Sequence, residues 1–154
     1  MDSVSNIQSL VDGLRDKNNQ YAYECLKQLE SESKLSDAVY SHLDSFISML
    51  EDSNSYIRTR GILLIAANAK WDRDNKIDEI IDSYLRHIMD AKPITARQAI
   101  QALPTIARYK PELIDQISNA LRSANPQTYS SSMQPLVDKD TQDALREIAS
   151  FKHA

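Results

Sequence analysis

Glycine, proline and cysteine are scarce in this sequence. Its 154 residues include two glycines, five prolines and one cysteine. A β-sandwich or β-barrel needs many tight turns that draw on glycine and proline, so the scarcity of both residues predicts an all-α chain. The single cysteine excludes an intrachain disulfide and any zinc site with several cysteine ligands. We therefore expect one helical domain over residues 1–154, stabilised by packing alone.

Long apolar runs and an excess of basic residues are also lacking. No run approaches the roughly 20 residues that span a bilayer, and residues 1–14 have neither the basic start nor the apolar middle of a secretion signal. We therefore expect a cytoplasmic protein without a membrane partner. The formal net charge of −4 removes the overall basic balance that nucleic-acid-binding proteins usually have, although it leaves a local basic face open.

Motifs for catalysis, cofactors and metals are lacking as well. Phosphate-binding loops need several glycines close together, whereas Gly13 and Gly61 are isolated. Residues 72–79 lack the glycine and one ligand of a calcium loop, and we interpret them as the start of a helix. We predict no catalytic residue, no metal site and no cofactor. The histidines have no metal-binding spacing, and each is expected at the surface or the edge of the core: His42, His87 and His153.

What the sequence does contain is a repeat with a period of 37 residues. Two sets of apolar residues recur at this shift, and within each copy the later set follows the spacing i, i+3, i+7 of an amphipathic helix. Each copy therefore predicts two helices, which form one helical hairpin. The later set is Tyr40, Leu43, Ile47; Ile77, Ile80, Tyr84; and Ile114, Ile117, Leu121, and the earlier set is Cys25, Leu26, Leu29; Ile62, Leu63, Ala66; and Ala99, Ile100, Leu103.

Capping residues and prolines place the ends of these helices. A capping helix is predicted before the hairpins, in residues 1–16, and a C-terminal cap with a helix near 141–151 after them, in residues 126–154. Pro104 lies inside an apolar segment and predicts a kink there. About three hairpins in residues 17–125 have their first helices over 20–31, 55–70 and 93–109, and their second helices over 37–51, 74–90 and 111–123.

The segment from residue 52 to residue 64 resembles the first helix of a HEAT repeat. Residues 93–106 form a looser copy, and residues 20–29 lack the characteristic aspartate and arginine. The resemblance to HEAT and armadillo-type repeats covers about residues 17–125. It implies an α-α superhelix, a short solenoid of helical hairpins, whose usual role is to bind other macromolecules. The residues that carry it are an aspartate, a β-branched residue followed by arginine, a small residue and a leucine, here Asp52, Ile57, Arg58, Gly61 and Leu64.

Charge divides between the two helices of each hairpin. Residues 53–71 and 91–111 contain basic but no acidic side chains, whereas the second helices lean acidic. In HEAT-like stacks the second helices line the concave side, so the resemblance implies an acidic inner face. This face is either simply solvated or a groove for a basic peptide or protein. We assign partner binding to Asp78, Glu79, Asp82, Glu112, Asp115 and Asn119.

The arginines of the first helices support an alternative. Their simplest role is in ion pairs within the protein, such as Arg58 with Asp52, but they could also form an anion-binding row. Some HEAT-like proteins are DNA glycosylases that act on alkylated bases, so the resemblance also allows nucleic-acid binding or repair. The preferred prediction remains a non-enzymatic interaction module or scaffold with a protein partner. The anion-binding residues of the alternative are Arg58, Arg60, Arg97 and Arg108.

For three further features, the first interpretation is a structural role rather than a binding role. Cys25 shares a repeat position with Ile62 and is expected in the core. Trp71, at a hairpin turn, is expected to cover the end of the core, although an exposed indole there would also suit a partner. The serine-rich residues 130–132 could leave the last hairpin incomplete, which keeps a homo-oligomer through the chain ends open.

Overall fold

The computed structural model describes residues 3–151, the first three of them by their backbone alone, and all regular secondary structure in that range is helical. This confirms the all-α prediction. Residues 1, 2 and 152–154, which belong to the predicted caps and include His153, lie outside the described residues. The α-helices are α1 (Ser3–Gly13), α2 (Asn19–Leu35), α3 (Leu43–Met49), α4 (Ser55–Ala67), α5 (Lys76–Leu85), α6 (Pro93–Tyr109), α7 (Ile114–Arg122) and α8 (Gln134–Phe151).

The chain divides into two compact units, Met1–Asp74 and Asn75–Ala154. The first unit contains α1 to α4, and the second contains α5 to α8. The prediction of one repeat domain over residues 1–154 stays a prediction.

The first helices of the predicted hairpins are α2, α4 and α6. Asn18 caps α2, because its Oδ1 accepts a hydrogen bond from the backbone N–H of Tyr21 at 3.1 Å. Asn54 caps α4 in the same way. Pro93 begins α6, where a missing N–H costs nothing. The predicted bounds of α6 are confirmed, whereas α2 continues past residue 31 to Leu35.

The second helices are shorter than predicted, because each includes a 3₁₀ turn. Such turns precede α3 and α7, at Tyr40–His42 and Pro111–Leu113, and one follows α5, at Arg86–Met89. Asn75 precedes α5, but its side chain makes no capping hydrogen bond. Its backbone adopts a left-handed conformation with φ of 56°. Tight turns at helix ends are common, and hydrophobic periodicity does not distinguish them from a full α-turn.

The prediction was wrong about where the last helix begins. α8 starts at Gln134 rather than near residue 141, because Pro135 occupies its first turn, a favoured place for proline. Val137 is buried, and its carbonyl accepts a hydrogen bond from the hydroxyl of Thr141 at 2.8 Å. The serine-rich stretch is therefore a short turn rather than a long loop.

The predicted repeat positions form the core. All of the apolar residues in the two repeating sets are buried except Ile47, Leu63 and Ile80, which are half-buried. Cys25 is 1% exposed, which confirms its place in the core. Burying one leucine or isoleucine side chain contributes about 1.5–3 kcal/mol. Packing of the repeated positions therefore contributes to the stability of each unit, together with core residues outside the repeat such as Phe46 and Ile148.

Both glycines allow helices of the first unit to approach closely. A Cβ atom at Gly61 in α4 would lie 2.8 Å from the carbonyl oxygen of Phe46 and 2.9 Å from Cβ of Met49, both in α3. A Cβ atom at Gly13 would lie 2.5 Å from Sγ of Cys25. The small residue in the HEAT-like pattern is thus required by the contact between α3 and α4.

Hydrogen bonds between hairpins recur at separations close to the repeat length. In the first unit, Nδ2 of Asn68 donates to Oγ of Ser33, 35 residues earlier, at 3.1 Å. In the second unit, Nε2 of Gln116 donates to Oδ1 of Asp82, 34 residues earlier, at 2.6 Å. Each unit thus places residues about one repeat length apart in contact.

Candidate functional site

The residues predicted to bind a partner lie on α5, on α7 and in the turn that precedes α7, all in the second unit. The hydrogen bond from Gln116 to Asp82 joins the solvent sides of the two helices. The exposed sides of α5 and α7 meet at this hydrogen bond, so both helices contribute to the surface around it. The stacking of the second helices along a solenoid stays a prediction.

Four carboxylates are exposed on this surface, and we call them the acidic face. Asn119, the last predicted member of the site, is also exposed, and its Oδ1 accepts a hydrogen bond from Nη1 of Arg122 at 3.3 Å. The acidic face consists of Glu79 and Asp82 on α5, Asp115 on α7, and Glu112 in the turn before α7.

Asp78 differs from these four, because a buried lysine neutralises it. Nζ of Lys110 lies 2.9 Å from Oδ1 of Asp78, and the two side chains are 6% and 24% exposed. The same ammonium group donates to Oδ1 of Asn75 at 2.7 Å. A buried ammonium group is costly without such partners. Asp78 therefore holds the second unit together, and its charge is not available to the acidic face as the sequence suggested.

Basic residues limit the acidic face to one end of each helix. Arg86 directly follows α5 and Arg122 ends α7, where positive charge interacts favourably with the helix dipole. Lys76, at the start of α5, is half-buried. Negative charge is consequently concentrated in the first two turns of α5 and at the start of α7, whereas positive charge lies at the end of each helix.

The two predicted anion-binding arginines of the first unit bind backbone and side-chain oxygens. Nη1 of Arg58 donates to the carbonyls of Asp52 and Ser53, each at 3.1 Å. Arg60 is 6% exposed, and its Nη1 donates to the carbonyl of Leu14 at 2.8 Å. Burial lowers the pKa of Arg60. Both guanidinium groups therefore fix loops of this unit.

Asp52 has a partner that the sequence did not indicate. Its Oδ2 lies 3.1 Å from Nη1 of Arg15, which follows α1. Arg15 and Asp52 are one repeat length apart. Opposite charges at that separation could have predicted this ion pair from the sequence.

The other two predicted arginines lie in the second unit and also contact protein groups. Nε of Arg97 lies 2.6 Å from Oδ2 of Asp140 on α8, and this hydrogen bond raises the pKa of Arg97. The guanidinium of Arg108 lies 5.2 Å from the centroid of the Phe151 ring, also on α8. Both residues attach α6 to α8, which fits the structural interpretation of the arginines better than an anion-binding row.

A buried pair in the second unit escaped sequence reasoning. Nδ1 of His87 lies 2.8 Å from Oδ2 of Asp90, and both residues are buried. The expectation that His87 lies at the surface or edge of the core was wrong. The hydroxyl of Tyr129 donates to the carbonyl of Asp90 at 2.6 Å, and burial raises the pKa of Tyr129. An aspartate three residues after a helical histidine was the available signal.

A second polar cluster lies in the first unit. The hydroxyl of Tyr40 lies 2.7 Å from Oδ1 of Asp72 and 3.0 Å from Oδ2 of Asp74. Burial, followed by the hydrogen bond to Asp72, raises the pKa of Tyr40 well above its ordinary value. Arg73 pairs with Asp37 at 3.0 Å. These contacts attach the turn after α4 to the turn before α3, so the aspartates of residues 72–74 have a structural role.

No helix within residues 3–151 combines the length and the apolar character needed to cross a membrane. In the same part of the chain, no three histidine, cysteine, aspartate or glutamate side chains are grouped so that they could hold a metal ion. Comparisons of the sequence with models of protein families and with curated proteins, and of the structure with solved structures, found no match.

Proposed function

We propose that this chain is a short HEAT-like repeat protein, an α-α superhelix without catalytic activity, that binds a basic segment of a protein partner with its acidic face. Two observations support the repeat assignment. The apolar residues that recur every 37 residues are mostly buried, and within each unit a hydrogen bond joins residues about one repeat length apart. The match of Gly61 to the small residue of the HEAT-like pattern adds to them.

The observation that carries the binding proposal is the junction between α5 and α7. The hydrogen bond from Gln116 to Asp82 brings the exposed carboxylates of α5 near those at the start of α7, which supports a single binding surface. Solvent screens exposed charges over a Debye length of about 8 Å at physiological salt. The electrostatic fields of the carboxylates on α5 and α7 therefore reinforce one another only in part. A partner must bring its cations into direct contact with the surface.

The charges determine orientation more than strength. One exposed ion pair contributes about 0.2–1 kcal/mol, so four carboxylates contribute about 1–4 kcal/mol, whereas a micromolar dissociation constant requires about 8 kcal/mol. The acidic face therefore accelerates the encounter and sets the register of the partner. Since Arg86 and Arg122 lie at the C-terminal ends of α5 and α7, the cations of the partner bind near the start of each helix.

The test measures binding of fluorescein-labelled peptides that carry lysine and arginine at different spacings, by fluorescence anisotropy. The variant is Glu79→Lys with Asp82→Lys, which leaves the ion pair of Asp78 and Lys110 intact. The matched control is Asp138→Lys with Glu147→Lys, because these exposed carboxylates on α8 give the same change in charge within the same unit.

We expect one peptide class to bind the wild type and the control alike, with an affinity that falls as salt rises. The first variant should lose that binding by about tenfold or more. Equal binding by all three proteins refutes the assignment. Salt-sensitive binding of duplex DNA in place of the peptides would favour the arginine alternative.

A further inference from the structure

A second exposed surface lies at the ends of α2 and α4 in the first unit. Nε1 of Trp71 donates to the carbonyl of Ser33 at 2.8 Å, and Nζ of Lys70 donates to the carbonyl of Lys34 at 3.1 Å. Both carbonyls belong to the last turn of α2. The turn after α4 is thereby fixed on the end of α2, which places Lys34, Leu35, Lys70 and Trp71 together. We call these four residues the Trp71 patch.

The Trp71 patch combines apolar and cationic groups. Leu35 is 77% exposed, and Trp71 is half-buried. Both lysines are exposed, and the ammonium group of Lys70 lies 5.0 Å from the centroid of the indole ring. A single exposed leucine needs no explanation. An exposed leucine next in sequence to the carbonyl that binds Lys70, together with a half-buried tryptophan and two exposed lysines, has the composition of a binding hot spot, in which an aromatic anchor is surrounded by polar groups.

The Trp71 patch is also held in place before any partner binds. The indole N–H already has its hydrogen bond within the protein, so covering the ring leaves no buried donor without an acceptor. An ammonium group has three donors, and the bond to the carbonyl of Lys34 uses one of those on Lys70. A partner therefore loses little affinity to the ordering of these side chains.

We propose that the Trp71 patch docks an acidic peptide segment of a partner protein. A bulky apolar side chain of that segment packs on Leu35 and on the exposed part of the indole. Carboxylates next to it bind the ammonium groups of Lys34 and Lys70. The sign of the charge is opposite to that expected for a partner of the acidic face, so the two surfaces bind different segments.

Nearby carboxylates favour a peptide over an extended anionic surface. Asp37 and Asp74 are exposed in the same two turns, and Asp37 is paired with Arg73. A membrane of anionic lipids or a nucleic-acid strand would bring negative charge against these carboxylates as well as against the lysines. A short peptide can place its carboxylates on the lysines alone, which avoids that repulsion.

The test uses the fact that Trp71 is the single tryptophan of the chain. Phage-displayed random peptides are selected on the full chain, with counter-selection on a Leu35→Ser, Lys70→Glu variant. A selected peptide that lacks tryptophan is then synthesised and titrated while the emission of Trp71 is recorded. The matched control variant is Leu136→Ser with Lys17→Glu, which changes another exposed leucine and another exposed lysine. Circular dichroism verifies that both variants fold.

The expected peptides carry aspartate or glutamate next to leucine, isoleucine or phenylalanine. Their binding should shift the emission of Trp71 to saturation, weaken with salt, and fall by about tenfold or more in the Leu35→Ser, Lys70→Glu variant but not in the control. Binding should also persist in the Glu79→Lys, Asp82→Lys variant, because it does not depend on the acidic face. The proposal is overturned if no such peptide is selected, if binding leaves the emission unchanged, or if only phosphatidylserine vesicles or a thymidine oligonucleotide shift it.

Discussion

Replacing Lys110 by methionine should destabilise the second unit, because it removes the ammonium group that Asp78 contacts. Methionine keeps most of the buried aliphatic stem, so the change isolates the charge. Breaking a fully buried ion pair costs about 3–5 kcal/mol, whereas an exposed pair contributes about 0.2–1 kcal/mol. Since the side chain of Lys110 is 6% exposed and that of Asp78 is 24% exposed, we expect an intermediate loss of about 2 kcal/mol in the free energy of unfolding.

Urea denaturation followed by circular dichroism measures this loss, and a double-mutant cycle assigns it to the pair. The cycle compares Lys110→Met, Asp78→Asn and the double variant, and the double variant should lose about 1–2 kcal/mol less than the sum of the single variants. Lys92→Met is the control, because Lys92 is an exposed lysine of the same unit, and its effect should stay within about 0.5 kcal/mol. A coupling energy below about 0.5 kcal/mol would refute the reasoning.

Two further predictions concern the first unit and the tyrosines. Gly61→Ala should destabilise by about 1–3 kcal/mol in urea denaturation, although alanine favours a helix by about 1 kcal/mol, because its Cβ would meet Phe46 and Met49 in α3; unchanged or higher stability would contradict the close approach. Burial raises the pKa of Tyr40 and Tyr84 above the ordinary value near 10. The folded state therefore holds these protons more tightly, and its stability should be full below about pH 10 and fall above it. Ultraviolet titration should show two hydroxyls that ionise only with unfolding, and ionisation of every tyrosine near pH 10 in the folded chain would contradict this.

The helices were predictable because their signals are local and repeated. Apolar residues at i, i+3 and i+7 recur three times, so an error in one copy is corrected by the others. Pro93 and the last residues of α6 were placed correctly for this reason. The start of α8 lies outside the repeat. The serines before it indicated a loop, and the helix signals of Pro135 and Val137 were missed.

The contacts between hairpins were much less predictable. The pairs Lys110–Asp78 and Arg15–Asp52 depend on which side chains face each other once the hairpins are packed. Sequence alone sorted the charges by helix, but it could not assign them partners. This is why Asp78 was counted with the exposed carboxylates, and why three of the four arginines on the supposed basic face have hydrogen-bond partners within the protein.

These contacts also affect how binding should be tested. A charge reversal at Asp78 would place a second cation beside the buried Lys110, so a loss of binding in that variant would report on stability as well as on the surface. Glu79 and Asp82 are exposed, so charge reversals there cost little in folding, although the change at Asp82 also removes its hydrogen bond with Gln116.

The most direct measurement of the central claim is a titration of the ¹⁵N-labelled chain with a lysine- and arginine-rich peptide, followed by NMR chemical shifts. We expect the largest shifts at the amides of Glu79, Asp82, Glu112 and Asp115, and we expect them to diminish at high salt. Shifts confined to the first unit, or spread evenly over the chain, would contradict a binding site on the acidic face.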